Sequence, residues 1–142
     1  MLTDRLVLRR WRDTDRAPFA RMNADPVVME HYVAPLTEAE SNAMVDRIDA
    51  HFDEHGWGLW AVDHASWGHG YAPEAARATL DHGFNELGLD EIVSFTTATN
   101  LRSQRVMQKL GMTRDPADDF EHPNVPPGHP LRPHVLYRIT AV

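Results

Sequence analysis

Two short segments contain the residues whose types and spacing could support chemistry. In the first, SWGHGYAPEAA, Gly68 and Gly70 precede a helix that has Pro73 in its first turn. Glycine lets the backbone approach a ligand closely, and the N–H groups of a first helical turn bind anions such as a pyrophosphate. Two glycines before a helix are by themselves more often a tight turn without a ligand, and the sequence contains neither GxGxxG nor a P-loop.

The second segment, TNLRSQRVMQKLGM, places Asn100 and Ser103 at the start of a helix that directly follows a strand. Asn is a preferred N-cap, and Ser103 is equally compatible with a solvated first turn, so neither residue alone indicates a ligand. Both segments belong to one predicted β-α-β crossover, which places the carboxyl ends of two parallel strands at the same sheet edge. It is the pairing of the segments that predicts a binding site there.

Hydrophobic periodicity and capping signals predict the elements that position these residues. Thr37 and Glu40 form a capping box, and Gly56 is placed to end the helix that they begin. We predict strands over residues 5–11, 57–63, 91–99 and 134–140, and helices over 13–25, 26–32, 35–56 and 101–111. A further helix follows the glycine turn and is stopped by Gly88, and a loop is predicted over 113–133. The strands over 57–63 and 91–99 are predicted to be parallel neighbours.

Composition excludes several classes of protein. The 142 residues contain no cysteine, which excludes disulfides and cysteine zinc sites. A net charge of −7 argues against a nucleic-acid-binding face, although backbone N–H groups can still hold a small phosphate-bearing molecule. We find no membrane span and no signal-peptide core, so we expect a cytoplasmic protein without nucleic-acid or membrane partners.

Together, WGHGYAPEAA and NLRSQRVMQKLGM resemble the GNAT superfamily of acetyl-CoA-dependent N-acetyltransferases, in particular the ribosomal-protein N-terminal acetyltransferase branch. The segments RLVLRRW, WGLWAV and the tail from residue 115 onward resemble the same branch. The likeness implies a single α+β domain over residues 1–142, with a splayed mixed sheet flanked by helices. It also implies an acetyl group passed from acetyl-CoA to a primary amine, on a protein N-terminus or a small molecule.

The resemblance also implies the residues of the site. Those implied to surround the CoA pyrophosphate are Trp67, Gly68, His69, Gly70, Tyr71 and Ala72. Asn100 would bond the pantetheine arm, and Ser103 would lie near the sulfur. Many relatives protonate the departing thiolate with a tyrosine on this helix, but Val106 and Met107 stand at the positions where it would be expected. Ser103 or a water is therefore implied as the acid, and no metal is implied.

The sequence departs from the family between Asp63 and Trp67, where three residues replace two strands. The missing hairpin corresponds to roughly 30–40 residues with its loops. In relatives its second strand supplies an N–H toward the thioester oxygen and often a glutamate near the amine. Trp57 or Gly58 falls near that glutamate's position, and Asp53 or Glu54 are the substitutes at hand. We predict that the strand over 57–63 moves in beside the strand over 91–99; otherwise two chains would exchange strands in a homodimer, or an edge would be left exposed.

Two other readings remain open. His51 to His55 matches the HxxEH pattern of inverted zinc peptidases, but Gly56 ends that helix and no third ligand is indicated. The second reading is a module that binds CoA or a partner protein without transferring a group, because function must be argued from a site and not from a fold. Amine-dependent release of CoA would distinguish this module from an enzyme.

Overall fold

The structure is a computed structural model that describes residues 1–63 and 71–141. Its contacts divide these residues into two compact units. Unit 1 contains residue 1 and residues 7–63, and unit 2 contains residues 2–6 and 71–141. No helix in the described ranges is long and apolar enough to cross a membrane.

Unit 1 is built on two helices and a two-stranded antiparallel sheet. Strand β1 (Val7–Arg9) pairs with β2 (Ala61–Asp63), and helices α1 (Asp13–Ala24) and α2 (Glu38–His55) pack on each other. The buried apolar side chains of these elements are Leu8, Ala20, Val45, Ile48, Phe52 and Ala61. Between the helices, the buried Asn23 donates from Nδ2 to Ser41 Oγ at 3.0 Å, which satisfies both polar groups away from water.

The predicted caps of α2 are confirmed, although the helix covers Glu38–His55 and not the whole of 35–56. Thr37 is the N-cap, its Oγ1 accepts from the Glu40 N–H at 3.2 Å, and the Glu40 carboxylate accepts from the Thr37 N–H at 2.8 Å. Gly56 ends the helix at φ 79°, a left-handed conformation that glycine adopts without steric cost.

Two predictions for unit 1 are wrong. No helix forms over residues 26–32, because the Asp25 side chain accepts from the Val27 N–H at 2.8 Å and stabilises a turn. The second strand begins at Ala61 instead of residue 57. The Leu59 carbonyl accepts from the Trp11 indole N–H at 2.8 Å. The carbonyl is therefore bonded to a side chain and not to the backbone of a neighbouring strand.

Unit 2 consists of a three-stranded antiparallel sheet and two helices on one face of it. Helix α3 (Tyr71–Asn85) leads to strand β3 (Glu91–Thr97), and helix α4 (Leu101–Lys109) follows. The predicted loop over 113–133 contains a short 3-10 helix (Pro116–Asp118) and strand β4 (Phe120–Glu121). The last strand, β5 (Pro133–Thr140), is central in the order β3-β5-β4.

The core of unit 2 lies between the helices and the sheet. It consists of Leu80, Met107, Leu110, Met112, Val135 and Tyr137. A Cβ on Gly83 would lie 2.6 Å from Ile92 Cδ1, so the absence of a side chain lets α3 approach β3 closely. Because α3 and α4 pack on the same sheet, one core holds the starts of both helices.

The predicted parallel pairing of the two crossover strands is wrong. β2 pairs antiparallel with β1, whereas β3 pairs antiparallel with β5 through all seven of its residues. Antiparallel pairs are slightly more stable per residue than parallel ones, and both strands find such partners in sequence-distant segments. Among the described strands, none pairs with the other edge of β3.

Candidate functional site

Part of the glycine turn lies outside the described residues. Trp67, Gly68, His69 and Gly70 belong to this part, so their role in phosphate binding stays a prediction. Tyr71 and Ala72 are the first two residues of α3, and the backbone N–H groups of a first helical turn point out of the helix end.

The first turn of α3 is tied to the N-terminal segment of unit 2 by Thr3, Arg5 and Glu74, which we call the Thr3–Arg5–Glu74 cluster. The Glu74 carboxylate accepts from the Thr3 hydroxyl, from the Arg5 backbone N–H at 3.1 Å and from Arg5 Nε at 2.7 Å. The Arg5 guanidinium carbon also lies 4.8 Å from the centre of the Tyr71 ring. The hydrogen bond from Thr3, followed by those from Arg5, lowers the pKa of Glu74 below its ordinary value.

This cluster was not predicted from the sequence, because Glu74 is 71 positions from Thr3 and 69 positions from Arg5. The segment RLVLRRW was predicted to be a strand over residues 5–11, whereas the strand begins at Val7 and leaves Arg5 outside it. Arg5 neutralises a carboxylate that would otherwise place a negative charge at the helix end where a phosphate is expected.

The start of α4 brings two predicted site residues together. Asn100 is the N-cap, as predicted, and its Oδ1 accepts from the Ser103 N–H at 3.1 Å. Its Nδ2 also donates to Ser103 Oγ at 3.0 Å. Because a carboxamide nitrogen carries two hydrogens, Asn100 keeps one N–H for a ligand.

The same contact orients the Ser103 hydroxyl. Ser103 Oγ accepts from Asn100, so the hydrogen of that hydroxyl is available for donation to another acceptor. Accepting one hydrogen bond strengthens the hydroxyl as a donor. Ser103 is half-buried, and its geometry therefore suits an acid that donates to a developing anion.

Buried polar side chains fix the position of α4. Gln104 Nε2 donates to the Ala98 carbonyl at 3.0 Å, and the Tyr137 hydroxyl donates to Gln104 Oε1 at 3.4 Å. The Gln108 side chain donates to the same Tyr137 oxygen at 3.3 Å. Sequence reasoning missed this network, since nothing in the pattern of α4 identifies its partner in β5.

The positions where relatives have a tyrosine do not supply a replacement. Met107 is 5% exposed and Val106 packs against the same apolar cluster, so both side chains belong to the core of unit 2. Ser103 or a water, which the resemblance implies as the acid, therefore stays a prediction.

The HxxEH pattern lies in unit 1, as do Asp53 and Glu54, the predicted substitutes for the glutamate near the amine. The rings of His51 and His55 are 4.3 Å apart, and both contact Trp57. No group of three or more ligating side chains occurs in the part of the chain that the structure describes. Asp53 is paired with Arg10 at 2.7 Å, and Glu54 Oε2 lies 3.6 Å from His55 Nε2, so each carboxylate contacts a neighbour within unit 1.

Comparison with known families gives an interrupted match over most of the chain. The model of the acetyltransferase (GNAT) domain matches residues 5–66 and, separately, residues 60–113. The two matches meet at residues 60–66, which is where the sequence predicts that two strands are missing.

A relative from Bacillus subtilis (strain 168), the uncharacterized protein YkkB, is 28% identical over 144 aligned positions. The alignment covers 79% of this chain and 84% of YkkB. Roughly 30 positions of YkkB therefore lie opposite gaps in this chain, the length of a two-strand hairpin with its loops.

Solved structures show the same fold. An acetyltransferase from Agrobacterium tumefaciens str. C58 superposes with a TM-score of 0.78 at 23% identity, over 99% of this chain and 94% of that one. RimL, a ribosomal L7/L12 alpha-N-protein acetyltransferase in complex with coenzyme A, superposes with a TM-score of 0.74 at 10% identity, over 99% and 96% of the two chains. The four helices and two small antiparallel sheets agree with this α+β fold. Together with the family match, this places the chain in the GNAT acetyltransferase family.

Proposed function

We propose that this protein transfers the acetyl group of acetyl-CoA to a primary amine, on a protein N-terminus or a small molecule. The observation that carries the proposal is the pair of hydrogen bonds between Asn100 and Ser103 at the start of α4. They leave one amide N–H and one hydroxyl hydrogen for a ligand that follows the end of β3. RimL, which shares the fold, is named for acetylating an amine and was solved with coenzyme A.

In this proposal the cofactor lies between the starts of α3 and α4. The backbone N–H groups of residues 67–72 hold the pyrophosphate, with the helix dipole adding a favourable field. Arg5 keeps the Glu74 carboxylate neutralised beside them. Asn100 donates its remaining N–H to the pantetheine arm.

The reaction is direct attack of a neutral amine on the thioester carbonyl. The substrate ammonium first loses a proton to water or a base, and the amine nitrogen forms the new C–N bond. The C–S bond then breaks, and the nitrogen passes its second proton to water. The thiolate takes the proton of the Ser103 hydroxyl, and the serine oxygen regains a proton from that protonated water. No residue of the missing hairpin is present to bind the thioester oxygen, and one such donor typically contributes a factor of about 10²–10³ in rate.

A second candidate is a module that binds CoA or a partner protein without turnover. The observation that favours it is the pairing pattern, in which β2 and β3 belong to different sheets. In this case acetyl-CoA binds, or a partner does, but no amine releases CoA.

Calorimetric titration with acetyl-CoA, followed by a thiol assay for amine-dependent CoA release, tests the proposal. We expect binding and turnover in the wild type, and about 10²-fold lower kcat in Ser103→Ala with acetyl-CoA affinity unchanged. Thr79→Ala is the matched control, because this exposed hydroxyl bonds only its own helix at the Ala75 carbonyl. Binding without release in the wild type would establish the second candidate, and no binding by folded protein would exclude a CoA site.

A further inference from the structure

Four rings form a cluster on the face of the unit 2 sheet opposite α3 and α4. They belong to Phe95, Phe120, His122 and His134, and we call them the aromatic platform. Every pair of ring centres among them is between 4.8 and 6.2 Å apart. Phe95 is 49% exposed, so the platform presents a ring to solvent.

The strand register explains which face the platform occupies. Val135 and Tyr137 of β5 point into the core, so alternation directs His134 to the other face. His134 is opposite Thr97 in β3 and opposite Phe120 in β4, and Phe95 lies two residues before Thr97 on the same face. The rings thus gather at one end of the sheet.

That end of the sheet is also where the proposed acetyl-CoA site begins. The Asn100 N–H donates to the Thr97 carbonyl at 3.0 Å, and the Ala98 N–H donates to the Pro133 carbonyl at 2.9 Å. A single turn therefore connects Thr97, which is opposite His134, to Asn100, the N-cap of α4. A molecule on the platform would lie at the same end of β3 as the Asn100–Ser103 pair.

Hydrogen bonds indicate which ring nitrogen carries the proton when each of the two imidazoles is neutral. His134 Nδ1 lies 3.0 Å from the Arg132 carbonyl oxygen, which can only accept, so the Nδ1 of a neutral His134 carries the proton. Its Nε2 then has a free lone pair. His122 Nδ1 instead accepts from the Asn124 N–H at 3.2 Å, which places the proton of neutral His122 on Nε2.

The charges around the platform favour a cation. Arg132 pairs with Glu121 at 2.7 Å, and Arg138 pairs with Glu91 at 2.9 Å and with Asp118 at 2.6 Å. The nearby guanidinium groups are therefore neutralised, and the whole chain carries a net charge of −7. Ring faces attract ammonium groups electrostatically, and an imidazole lone pair accepts an ammonium N–H.

We propose that the aromatic platform is the subsite for the acceptor, and that it binds a primary ammonium with an apolar stem. The stem lies on Phe95 and Phe120, and the ammonium donates to His134 Nε2. This assignment rests on the proposed acetyl transfer, because it identifies the surface that holds the amine before the reaction.

The test follows the imidazole Cε1–H resonances of His122 and His134 by NMR during titration at pH 8. Pentylamine and tetra-alanine with a free N-terminus represent the two sources of the amine, and 1-pentanol is the uncharged control. We expect at least one amine to shift both histidine resonances, and pentanol to leave them unchanged. The amine that binds identifies its source, whereas equal shifts with pentanol, or none with either amine, would overturn the proposal.

Variants then locate the site. Phe95→Leu keeps an apolar side chain and should weaken amine binding about fivefold, since it removes the ring face. If Phe95→Leu does not fold, the same binding test uses Phe120→Leu. Tyr32→Leu removes an aromatic side chain that is 63% exposed in unit 1 and should change nothing; unchanged binding in the Phe variants would overturn the assignment.

Acetyl-CoA titration of the same variants separates this proposal from the previous one. Phe95→Leu should bind acetyl-CoA as the wild type does. If acetyl-CoA binds but neither amine shifts the histidine resonances, only the assignment of the platform as the acceptor subsite is overturned. Amine shifts without acetyl-CoA binding would overturn the acetyl transfer and leave an amine-binding surface.

Discussion

Helices α1 and α3 begin with the same ingredients and use them differently. Each has a first-turn carboxylate paired with an arginine from the N-terminal region. In unit 1, Asp15 accepts from both terminal nitrogens of Arg9, at 2.6 and 2.9 Å, and from the Arg12 N–H at the start of its own helix at 2.8 Å. In unit 2, Glu74 accepts from Thr3 and Arg5 of the N-terminal segment.

The difference lies in where the partners of each carboxylate come from: Asp15 also accepts from the start of its own helix, whereas Glu74 accepts from the N-terminal segment. The Asp15 carboxylate occupies the position at the end of α1 that an external anion would take. The Glu74 carboxylate is held by Thr3 and Arg5, which lie before β1, so its charge is neutralised by residues outside its own helix. Under the proposed function, α3 is the helix start that receives the phosphate.

The largest effect is expected when caps of α4 and α2 are compared. Asn100→Ala and Thr37→Ala should each lower the free energy of unfolding by about 1 kcal/mol, because each removes a side chain that accepts from a first-turn N–H. Only Asn100→Ala should also weaken acetyl-CoA binding, by about tenfold, through the lost pantetheine bond. Urea unfolding and calorimetry measure the two effects; equal affinities in both variants would remove Asn100 from the site.

A smaller effect is expected at the arginines. Arg5→Gln should weaken acetyl-CoA binding about threefold, because the Glu74 charge then faces the phosphates. The added change Glu74→Gln should restore the affinity, since it removes that charge. Arg9→Gln is the matched variant in unit 1 and should leave affinity unchanged. If Arg9→Gln weakens binding as much as Arg5→Gln does, the contrast between the two helix starts is wrong.

The smallest effect concerns pH. Hydrogen bonds from Arg9 chiefly lower the pKa of Asp15, as that from Thr3 does for Glu74, so both carboxyls bind protons more weakly in the folded state. Their stabilisation is fully present above the ordinary pKa values of 3.8 and 4.5, and it is lost as pH falls through the lowered values. Asp15→Asn and Glu74→Gln should each flatten the acid loss of stability measured by urea unfolding. An unchanged pH dependence would show that the pair in question does not contribute.

Capping signals predicted the local structure more accurately than apolar periodicity did. The caps at Thr37 and Asn100 involve residues three apart, and the sequence predicts both correctly. The helix over 26–32 failed because the Asp25 side chain competes for backbone N–H groups, a local preference that apolar periodicity does not report.

The strand partners were mispredicted for a different reason. Alternation predicts that residues 91–97 form a strand, but the edge that finds a partner depends on a segment more than 30 residues away. The interruption near residue 60 was predictable, since three residues cannot replace a hairpin, and the divided family match supports it.

The sequence by itself determined helices α3 and α4, the Asn100 cap and the membership of an acetyltransferase family, because these depend on short patterns of neighbouring residues. Only the tertiary structure decided that β2 pairs with β1, that Thr3 and Arg5 hold Glu74, and that four rings meet beside Thr97. These contacts join segments far apart in the chain, and their formation depends on how the whole of each unit excludes water.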